Sequence, residues 1–306
     1  MKLNKNTKIL IIGLGVIGGS YAKALTDAGF QVKCITKNES DIKYATERNM
    51  IVYGTCEVEP ELIAESELII FALYPATFIE WIEKYQHLFT KGTLITDVTG
   101  VKGNVVDRVQ SILREDVEYI PAHPMAGRES SGVEYADPAV FRGANYIVTP
   151  TERNTKEAIE LCKELGAVLG FSKISELSPD EHDRMIAFLS QLTHCIAVSL
   201  MNSNDAQGLE KYTGDSFRDL TRIARINDRM WSELFCMNKQ ALLTEMDSFI
   251  KEFSEFRELV ATENVERMRE KEFKKGSWLK RQNDFSLDQA KYNATLGTTK
   301  KFQRHL

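Results

Sequence analysis

The stretch from Lys8 to Leu25, KILIIGLGVIGGSYAKAL, constrains the fold of this chain more than any other segment. A short aliphatic run leads without a spacer into Gly13, Gly15 and Gly18, and an Ala- and Leu-containing segment follows. The first glycine permits a tight turn, the second lets the backbone approach a pyrophosphate, and the third lets a helix pack on the strand. Strand, glycine turn and helix in this order predict a dinucleotide-binding unit.

The turn itself is predicted to hold the cofactor, because the free N–H groups at a helix start attract phosphate charge. A second apolar run at 31–36 supports this interpretation over a purely structural turn. The cofactor-binding residues of the turn are predicted to be Gly13, Gly15, Val16, Ile17 and Gly18.

The end of the second predicted strand indicates which dinucleotide is bound. In NAD-preferring sites an Asp or Glu at this place accepts hydrogen bonds from the ribose hydroxyls. This chain has Thr36 and Lys37 instead, and a hydroxyl and an ammonium suit a 2′-phosphate. Glu39 is near enough to replace the missing acid. NADP is therefore favoured, and NAD stays the alternative.

Strands and helices alternate through the first half of the chain. After the first unit, strands are predicted at 31–36, 68–73, 93–98, 117–121, 146–148 and 171–174. Helices are predicted at 41–48, 75–89, 102–114 and 155–165. This alternation predicts the α/β class, with a Rossmann-type, doubly wound parallel sheet.

The pattern changes at Ser178, where Ser-Pro-Asp-Glu has the spacing of a helix capping box. Only helical patterns follow, so we predict a dinucleotide-binding domain over 1–177 and an all-α substrate and dimerisation domain over 178–306. Apolar faces on long helices of a small domain are often covered by a second copy, which predicts a homodimer. The polar tail from about 275 is expected to be poorly ordered.

Composition excludes several classes of function. The 306 residues carry a formal net charge of −5, which argues against a nucleic-acid partner. The longest apolar runs are too short to span a membrane and the start lacks a signal-peptide core, so a cytoplasmic protein without a membrane partner is expected. Five scattered cysteines without a paired spacing predict neither a disulfide framework nor a metal site.

Two polar stretches follow predicted strands of the sheet. The strand at 93–98 runs into Asp-Val-Thr-Gly-Val-Lys, and the strand at 117–121 runs into Ala-His-Pro-Met-Ala-Gly. Ligands bind at the carboxyl ends of strands in open α/β sheets. A neutral histidine there can accept a proton from a substrate hydroxyl near neutral pH. His123 is therefore the predicted catalytic residue, against the alternative of a structural histidine.

The helical half has polar residues of its own. His182 and His194 are twelve positions apart on one predicted helix, too far along its axis to share a metal. Arg218 and Arg222 are four apart and so lie on one helix face, a geometry that suits carboxylates. We interpret Arg218 as part of an ion-pair lattice and Arg222 as a substrate-binding residue.

Taken together, these stretches resemble the prephenate dehydrogenase family of tyrosine biosynthesis over residues 8–257. No single motif is sufficient, but their order and spacing make the resemblance specific. The motifs are GLGVIGGS at 13–20, HPMAG at 123–127 with Glu129, HD at 182–183, SQLTH at 190–194, and FRDLTRIA at 217–224 with Trp231.

The resemblance implies an NAD(P)-dependent oxidative decarboxylation of prephenate to 4-hydroxyphenylpyruvate. By resemblance, His123 takes the hydroxyl proton while hydride passes to the nicotinamide. Arg222 is then expected to bind a substrate carboxylate and His194 to recognise the substrate side chain. Glu129 and Trp231 are expected to line the same pocket, which would lie between the domains.

Two departures from the family pattern bear on substrate choice. The family often has a serine where this chain has Gly100, and Thr99 is the expected replacement as a substrate-binding residue. Gln191 stands where the family has a histidine. Arogenate therefore stays open as the substrate, and tyrosine feedback is undecided. A β-hydroxyacid dehydrogenase and a non-enzymatic NADP-binding redox sensor also stay open as functions of such a chain.

Overall fold

The computed structural model of the chain describes residues 2–127 and 130–273. The chain divides into two compact units, one ending at Glu245 and the other beginning at Met246. Glu129 and the tail from about 275 lie outside the described residues. The predicted domain boundary at 177/178 stays a prediction.

A six-stranded sheet organises the first unit. Its strands are β1 (Ile9–Ile12), β2 (Val32–Ile35), β3 (Tyr53–Thr55), β4 (Leu68–Phe71), β5 (Leu94–Asp97) and β6 (Glu118–Tyr119). They lie in the order β3-β2-β1-β4-β5-β6, and every neighbouring pair is parallel. This confirms the predicted Rossmann-type sheet. Its strand order reverses between β1 and β4, where such sheets bind their ligands.

Helices cover both faces of this sheet. They are α1 (Val16–Asp27), α2 (Glu39–Glu47), α3 (Pro60–Glu65), α4 (Pro75–Tyr85) and α5 (Gly103–Ile112). Successive side chains of β1 alternate between two hydrophobic cores: Ile9 and Ile11 belong to one, and Leu10 and Ile12 belong to the other. All four are buried, so the strand is apolar throughout because neither face meets solvent.

A second, smaller sheet corrects one prediction. It contains β7 (Ala122–Pro124), β8 (Asn145–Val148) and β9 (Lys173–Glu176), with β7 antiparallel to β8. The strands predicted at 146–148 and 171–174 therefore do not extend the parallel sheet. Ile120 donates the last hydrogen bond from β6 to β5, and the next donor, the Ala122 N–H, turns to the side chain of Asp97 at 3.3 Å. The chain leaves the sheet at that point, and α6 (Lys156–Val168) packs against β8.

The described chain after β9 is helical, as predicted. The elements of the first unit are α7 (Pro179–Ile186), a π-helical segment (Ala187–Leu192), α8 (Thr193–Asn202), α9 (Asp215–Thr221) and α10 (Asp228–Met237). The predicted capping box forms, since Ser178 and Glu181 each bond the other's backbone. The unit boundary lies within α11 (Lys239–Ala261). In the second unit, α12 (Val265–Phe273) places Lys271 at 3.0 Å from Glu255.

The run Pro179–Asn202 is one continuous helix of 24 residues. By length and composition it could cross a membrane, with a mean hydropathy of 1.4, and 28% of its most apolar window is buried. A core helix of a water-soluble protein meets the same criterion. This helix also carries buried polar residues, among them His182, Asp183 and Gln191.

Candidate active site

The register of the parallel sheet aligns the ends of four strands. Ile12 pairs with Ile35 on one side and with Phe71 on the other, and Phe71 pairs with Asp97. The loops that leave β1, β2, β4 and β5 therefore start at one level. The loops after β1 and β2, with the start of α1, carry the predicted cofactor residues, and the loop after β5 carries Thr99.

The glycine turn after β1 has the geometry that a dinucleotide requires. Gly13 has a φ of +97°, and a Cβ there would lie 2.4 Å from the carbonyl oxygen of Ala72. A Cβ at Gly18 would lie 2.1 Å from the Gly13 oxygen, so helix and strand touch through these two glycines. Beside Gly15 there is open space, with nothing within 4 Å of an added Cβ.

The start of α1 is open to an anion. No side chain caps the helix at Gly15, and its first turn has no acidic residue. The backbone N–H groups that begin at Val16 and Ile17 therefore face the space beside Gly15, where a pyrophosphate fits. The residues present fit a dinucleotide cofactor.

The ribose-reading position lies beside this turn. The Gly13 N–H donates to the Ile35 carbonyl at 2.9 Å, which places Thr36 next to the glycines. Thr36 is partly exposed and Lys37 is exposed. Asn38 donates to Asp41 at 2.9 Å at the start of α2.

A buried charge network, which sequence reasoning did not find, fills the turn after β5. Asp97 accepts from the Lys102 Nζ at 2.7 Å and from the Tyr119 hydroxyl at 2.9 Å. Both Asp97 and Lys102 have fully buried side chains. Burial lowers the pKa of Lys102, while the Asp97 charge acts in the opposite direction. The signal was present in the sequence as an Asp and a Lys five residues apart after an apolar strand.

Thr99 belongs to the same network, which corrects the expectation that it replaces the family serine towards substrate. Its hydroxyl donates to Asp97 and accepts from Lys102 at 3.1 Å. Thr99 is 3% exposed, so the hydroxyl faces the interior. The next residue, Gly100, is the one beside His123: a Cβ there would lie 3.7 Å from the His123 Nε2.

His123 lies on β7, where it pairs with Ile147 of β8. The residue is partly exposed. Burial of its ring lowers the pKa of His123 well below its usual value, and the charges of His182 and Lys102 act in the same direction. The imidazole is therefore neutral at physiological pH and able to accept a proton.

Two residues of α7 continue from His123 into the protein. The His182 Nε2 lies 2.8 Å from the His123 Nδ1, and the His182 Nδ1 lies 2.8 Å from the Asp183 carboxylate. That carboxylate also accepts the backbone N–H groups of Lys102 and Gly103, each at 2.8 Å. The chain of contacts thus joins β7, α7 and the start of α5. The sequence showed the His-Asp pair but not its contact with His123.

The side chains of His194 and Trp231 lie in contact. Their rings stack with centroids 3.8 Å apart and an angle of 30° between planes. His194 Nδ1 lies 2.8 Å from the Ser190 carbonyl oxygen, one turn back on the helix. Arg222 follows α9 in an exposed turn, and this turn packs against α8, the helix that carries His194.

Gln191, which stands where the family has a histidine, is buried and bonded to other helical residues. It is 1% exposed, its amide nitrogen donates to the Leu234 carbonyl at 3.0 Å, and its amide oxygen accepts from Asn238 at 2.8 Å. These bonds tie the π-helical segment to α10. Among the described residues, no group of three metal-ligating side chains occurs.

Comparison with known proteins identifies the family. A family model described as "Prephenate dehydrogenase, nucleotide-binding domain" matches residues 21–172, and one described as "Prephenate dehydrogenase, dimerization domain" matches residues 178–274. A prephenate dehydrogenase of Bacillus subtilis is 30% identical over 269 residues, which span 85% of this chain and 72% of the relative. The chain belongs to the prephenate dehydrogenase family.

Two further relatives bear on the site. A cyclohexadienyl dehydrogenase of Zymomonas mobilis is 29% identical over 267 residues, covering 84% of this chain and 89% of the relative. A crystal structure of prephenate dehydrogenase from A. aeolicus, in complex with hydroxyphenyl propionate and NAD+, has a TM-score of 0.82 and 29% identity; it covers 92% of this chain and 99% of that one. Members of the prephenate dehydrogenase family are NAD(P)-dependent oxidoreductases.

Proposed function

We propose that this protein catalyses the NAD(P)-dependent oxidative decarboxylation of prephenate to 4-hydroxyphenylpyruvate. The observation that carries the proposal is the place of His123, a partly exposed imidazole on β7 that lies beside Gly100 in the turn after β5. The relative from A. aeolicus supports it, because the hydroxyphenyl propionate in that crystal shares its ring and three-carbon acid with the proposed product.

The reaction needs one proton acceptor from the protein. Prephenate carries a hydroxyl and a hydrogen on one ring carbon and a carboxylate on the opposite carbon. His123 accepts the hydroxyl proton, and a nicotinamide bound at the glycine turn would supply the acceptor for the hydrogen and its electron pair. The carboxylate then leaves as carbon dioxide, the electrons of that bond complete the aromatic ring, and the ring oxygen takes the proton back from His123 to become the phenol hydroxyl. Aromatisation drives the reaction.

A substrate with two carboxylates needs cationic partners, and Arg222 is the proposed one, beside the stacked His194 and Trp231. Replacing Arg222 with Ala is expected to raise the substrate KM roughly ten- to a hundredfold, the worth of one charge-assisted hydrogen bond. Arg218→Ala is the matched control, since Arg218 donates to Thr213 at 2.8 Å and pairs with Asp215. An effect of Arg222→Ala on cofactor affinity alone would contradict its role.

NADP is the proposed cofactor, on the hydroxyl of Thr36 and the exposed ammonium of Lys37 beside the glycine turn. A carboxylate at this place accepts from the ribose hydroxyls of NAD and repels a 2′-phosphate. Thr36→Asp should therefore weaken NADP binding and strengthen NAD binding. The measurement is the dissociation constant of each cofactor, determined by fluorescence on the folded unmodified protein and on the folded variant.

The decisive assay pairs prephenate and arogenate each with NAD and NADP and follows the absorbance of the reduced nicotinamide. Turnover with prephenate establishes the proposed reaction. Turnover with arogenate alone would assign the space beside Gly100 to the substrate in which an amino acid replaces the pyruvyl group. No turnover in any of the four mixtures, with intact cofactor binding, would contradict the proposal. It would favour a β-hydroxyacid dehydrogenase or a non-enzymatic redox sensor.

A homodimer of cytoplasmic enzyme is also proposed. The description of the matched region as a dimerization domain supports it. So do four exposed apolar side chains on one helix, Met185, Phe188, Leu189 and Met201. Sedimentation of the purified chain should give twice the mass of 34.8 kDa. Recovery of the expressed protein in the membrane fraction would instead assign the apolar helix to a bilayer.

A further inference from the structure

We propose that Asp183 and His182 are positioning residues that fix which nitrogen of His123 carries the proton, so that Nε2 is the acceptor presented to the substrate hydroxyl. The part played by Nε2 in catalysis rests on the proposed function. The proton positions themselves rest only on contacts within this chain. Three steps lead from the carboxylate to the reacting nitrogen.

The first step is the anchor. Both Asp183 oxygens accept a backbone N–H at the start of α5, Oδ1 from Lys102 and Oδ2 from Gly103, each at 2.8 Å. A backbone N–H can only donate, so both carboxylate oxygens face a donor and act as acceptors. Asp183 is therefore a fixed acceptor.

The second step is the buried histidine. His182 Nδ1 lies 2.8 Å from Asp183 Oδ1, and because the carboxylate only accepts, the proton of this hydrogen bond belongs to Nδ1. The His182 side chain is fully buried, and burial lowers its pKa. The ring thus holds one proton, which leaves its Nε2 as an acceptor.

The third step reaches the reacting histidine. His182 Nε2 lies 2.8 Å from His123 Nδ1, so Nδ1 must donate and must carry the single proton of the neutral ring. Nε2 is then unprotonated, and it is the nitrogen that faces Gly100, whose added Cβ would lie 3.7 Å away. A carboxylate two hydrogen bonds away therefore decides that His123 can accept a proton on the side that faces Gly100.

A purely structural role is the competing explanation, since Asp183 also caps α5 and links it to α7. Such a role predicts no particular proton position on His123. The tautomer is thus the readout that separates the two explanations, and nitrogen NMR of the imidazole measures it without substrate.

The experiment is ¹⁵N NMR of the histidine-labelled full chain, with His123→Asn used to assign the His123 signals. We expect Nδ1 protonated and Nε2 unprotonated in the unmodified protein. The reverse pattern, or an equal mixture, would overturn the proposal. Because the spectrum needs no turnover, it stands even if the substrate assignment fails.

A pair of variants then tests the dependence on His182. His182→Gln keeps an oxygen acceptor for His123 and an N–H donor for Asp183, whereas His182→Leu keeps neither. We expect His182→Leu to mix the His123 tautomers and to lower kcat about a hundredfold, as misorientation of a reacting group does, with cofactor affinity unchanged. His182→Gln should keep the tautomer and restore most of kcat. An unchanged tautomer in folded His182→Leu would refute the proposal, and if that variant does not fold, loss of the tautomer in His182→Gln would do so.

Discussion

The glycine turn after β1 and the histidine on β7 both lie near the carboxyl edge of the sheet, yet they are built in opposite ways. The turn depends on the absence of side chains. An added Cβ at Gly18 would lie 2.1 Å from the Gly13 oxygen, while the space beside Gly15 is open. His123 works through side chains supplied by other segments, with His182 at 2.8 Å and Asp183 behind it. We expect the first, the glycine half of the site, to bind the cofactor through its backbone, and the second, the histidine half, to accept a proton through its side chains.

This difference decides how the glycine half and the histidine half respond to amino-acid substitutions. A site made of backbone N–H groups has no titratable group and tolerates substitution wherever a Cβ has room. A site made of hydrogen-bonded imidazoles and buried charges depends on each partner, because an unpaired polar group in a buried place costs free energy. Substitutions in the two halves should therefore separate cofactor binding from turnover.

The largest separation is expected for His123→Asn. Removing the proton acceptor should lower kcat by about two to four orders of magnitude. The dissociation constant for the cofactor should stay within about twofold, because the glycine turn binds the pyrophosphate without the imidazole. Steady-state kinetics and cofactor titration on the same preparation measure both. A fall in cofactor affinity that matches the fall in kcat would show that the two halves are not separate.

The buried ion pair of Asp97 and Lys102 should give the next largest effect, on stability. Replacing Lys102 with Met leaves an uncompensated carboxylate in a fully buried place, which typically costs about 3–5 kcal/mol of unfolding free energy. Arg108 also pairs with a carboxylate, that of Glu83, but both side chains are largely exposed, at 54% and 39%. Arg108→Ala is the control, and it should cost about 1 kcal/mol or less. Equal midpoints of urea unfolding in the two variants would contradict this account.

Gly18→Ala and Gly15→Ala sharpen the comparison within the turn. The first places a methyl group against the Gly13 oxygen and the Ala72 Cβ, so roughly 1–3 kcal/mol of stability should be lost by overpacking. The second meets nothing within 4 Å, so unfolding should be unchanged. Its methyl group would instead occupy space that the pyrophosphate approaches, and cofactor affinity should fall. The opposite pattern, with Gly15→Ala unstable, would place the cofactor elsewhere.

The sequence predicted the glycine half well because its information is contiguous. Strand, turn and helix follow one another over 8–25, and the contact that requires Gly18 comes from Gly13 within the same turn, although Gly13 itself is required by Ala72 after β4. An aliphatic run likewise predicted β4, since strands buried on both faces are apolar at nearly every position.

The histidine half was predicted only in part, because its contacts join segments far apart in sequence. The contact between His123 and His182 spans 59 residues, and that between Lys102 and Asp183 spans 81. Thr99 shows most clearly what could not be predicted from the sequence. A hydroxyl in the right place along the chain was expected to face the substrate, but the buried Asp97 and Lys102 hold it inside. Only the packing of β5 against β6 and β7 decides which way that turn faces.

Sequence reasoning also missed strand β7, here for reasons of local sequence. Its three residues are too few for a periodic pattern, and two prolines flank its histidine region. Sequence reasoning therefore placed His123 in the loop that follows the predicted strand at 117–121. In the structure, pairing with β8 holds its backbone. A histidine on a paired strand is positioned more rigidly than one on a loop, which suits a group that must meet a substrate hydroxyl.

A change of pH near neutrality should have the smallest effect. It should nevertheless act differently on kcat/KM and on cofactor affinity. Burial, with His182 and Lys102 nearby, lowers the pKa of His123, so the neutral base persists well below its usual range. Between about pH 7 and 8 the value of kcat/KM should be flat, and it should fall about tenfold per pH unit only once the pH drops below that lowered pKa. The affinity for NAD, whose pyrophosphate stays ionised, should not follow this decline because backbone N–H groups do not titrate. If kcat/KM instead fell with a midpoint at or above about pH 6.5, the ordinary pKa of histidine, the imidazole would be more solvated than its contacts imply.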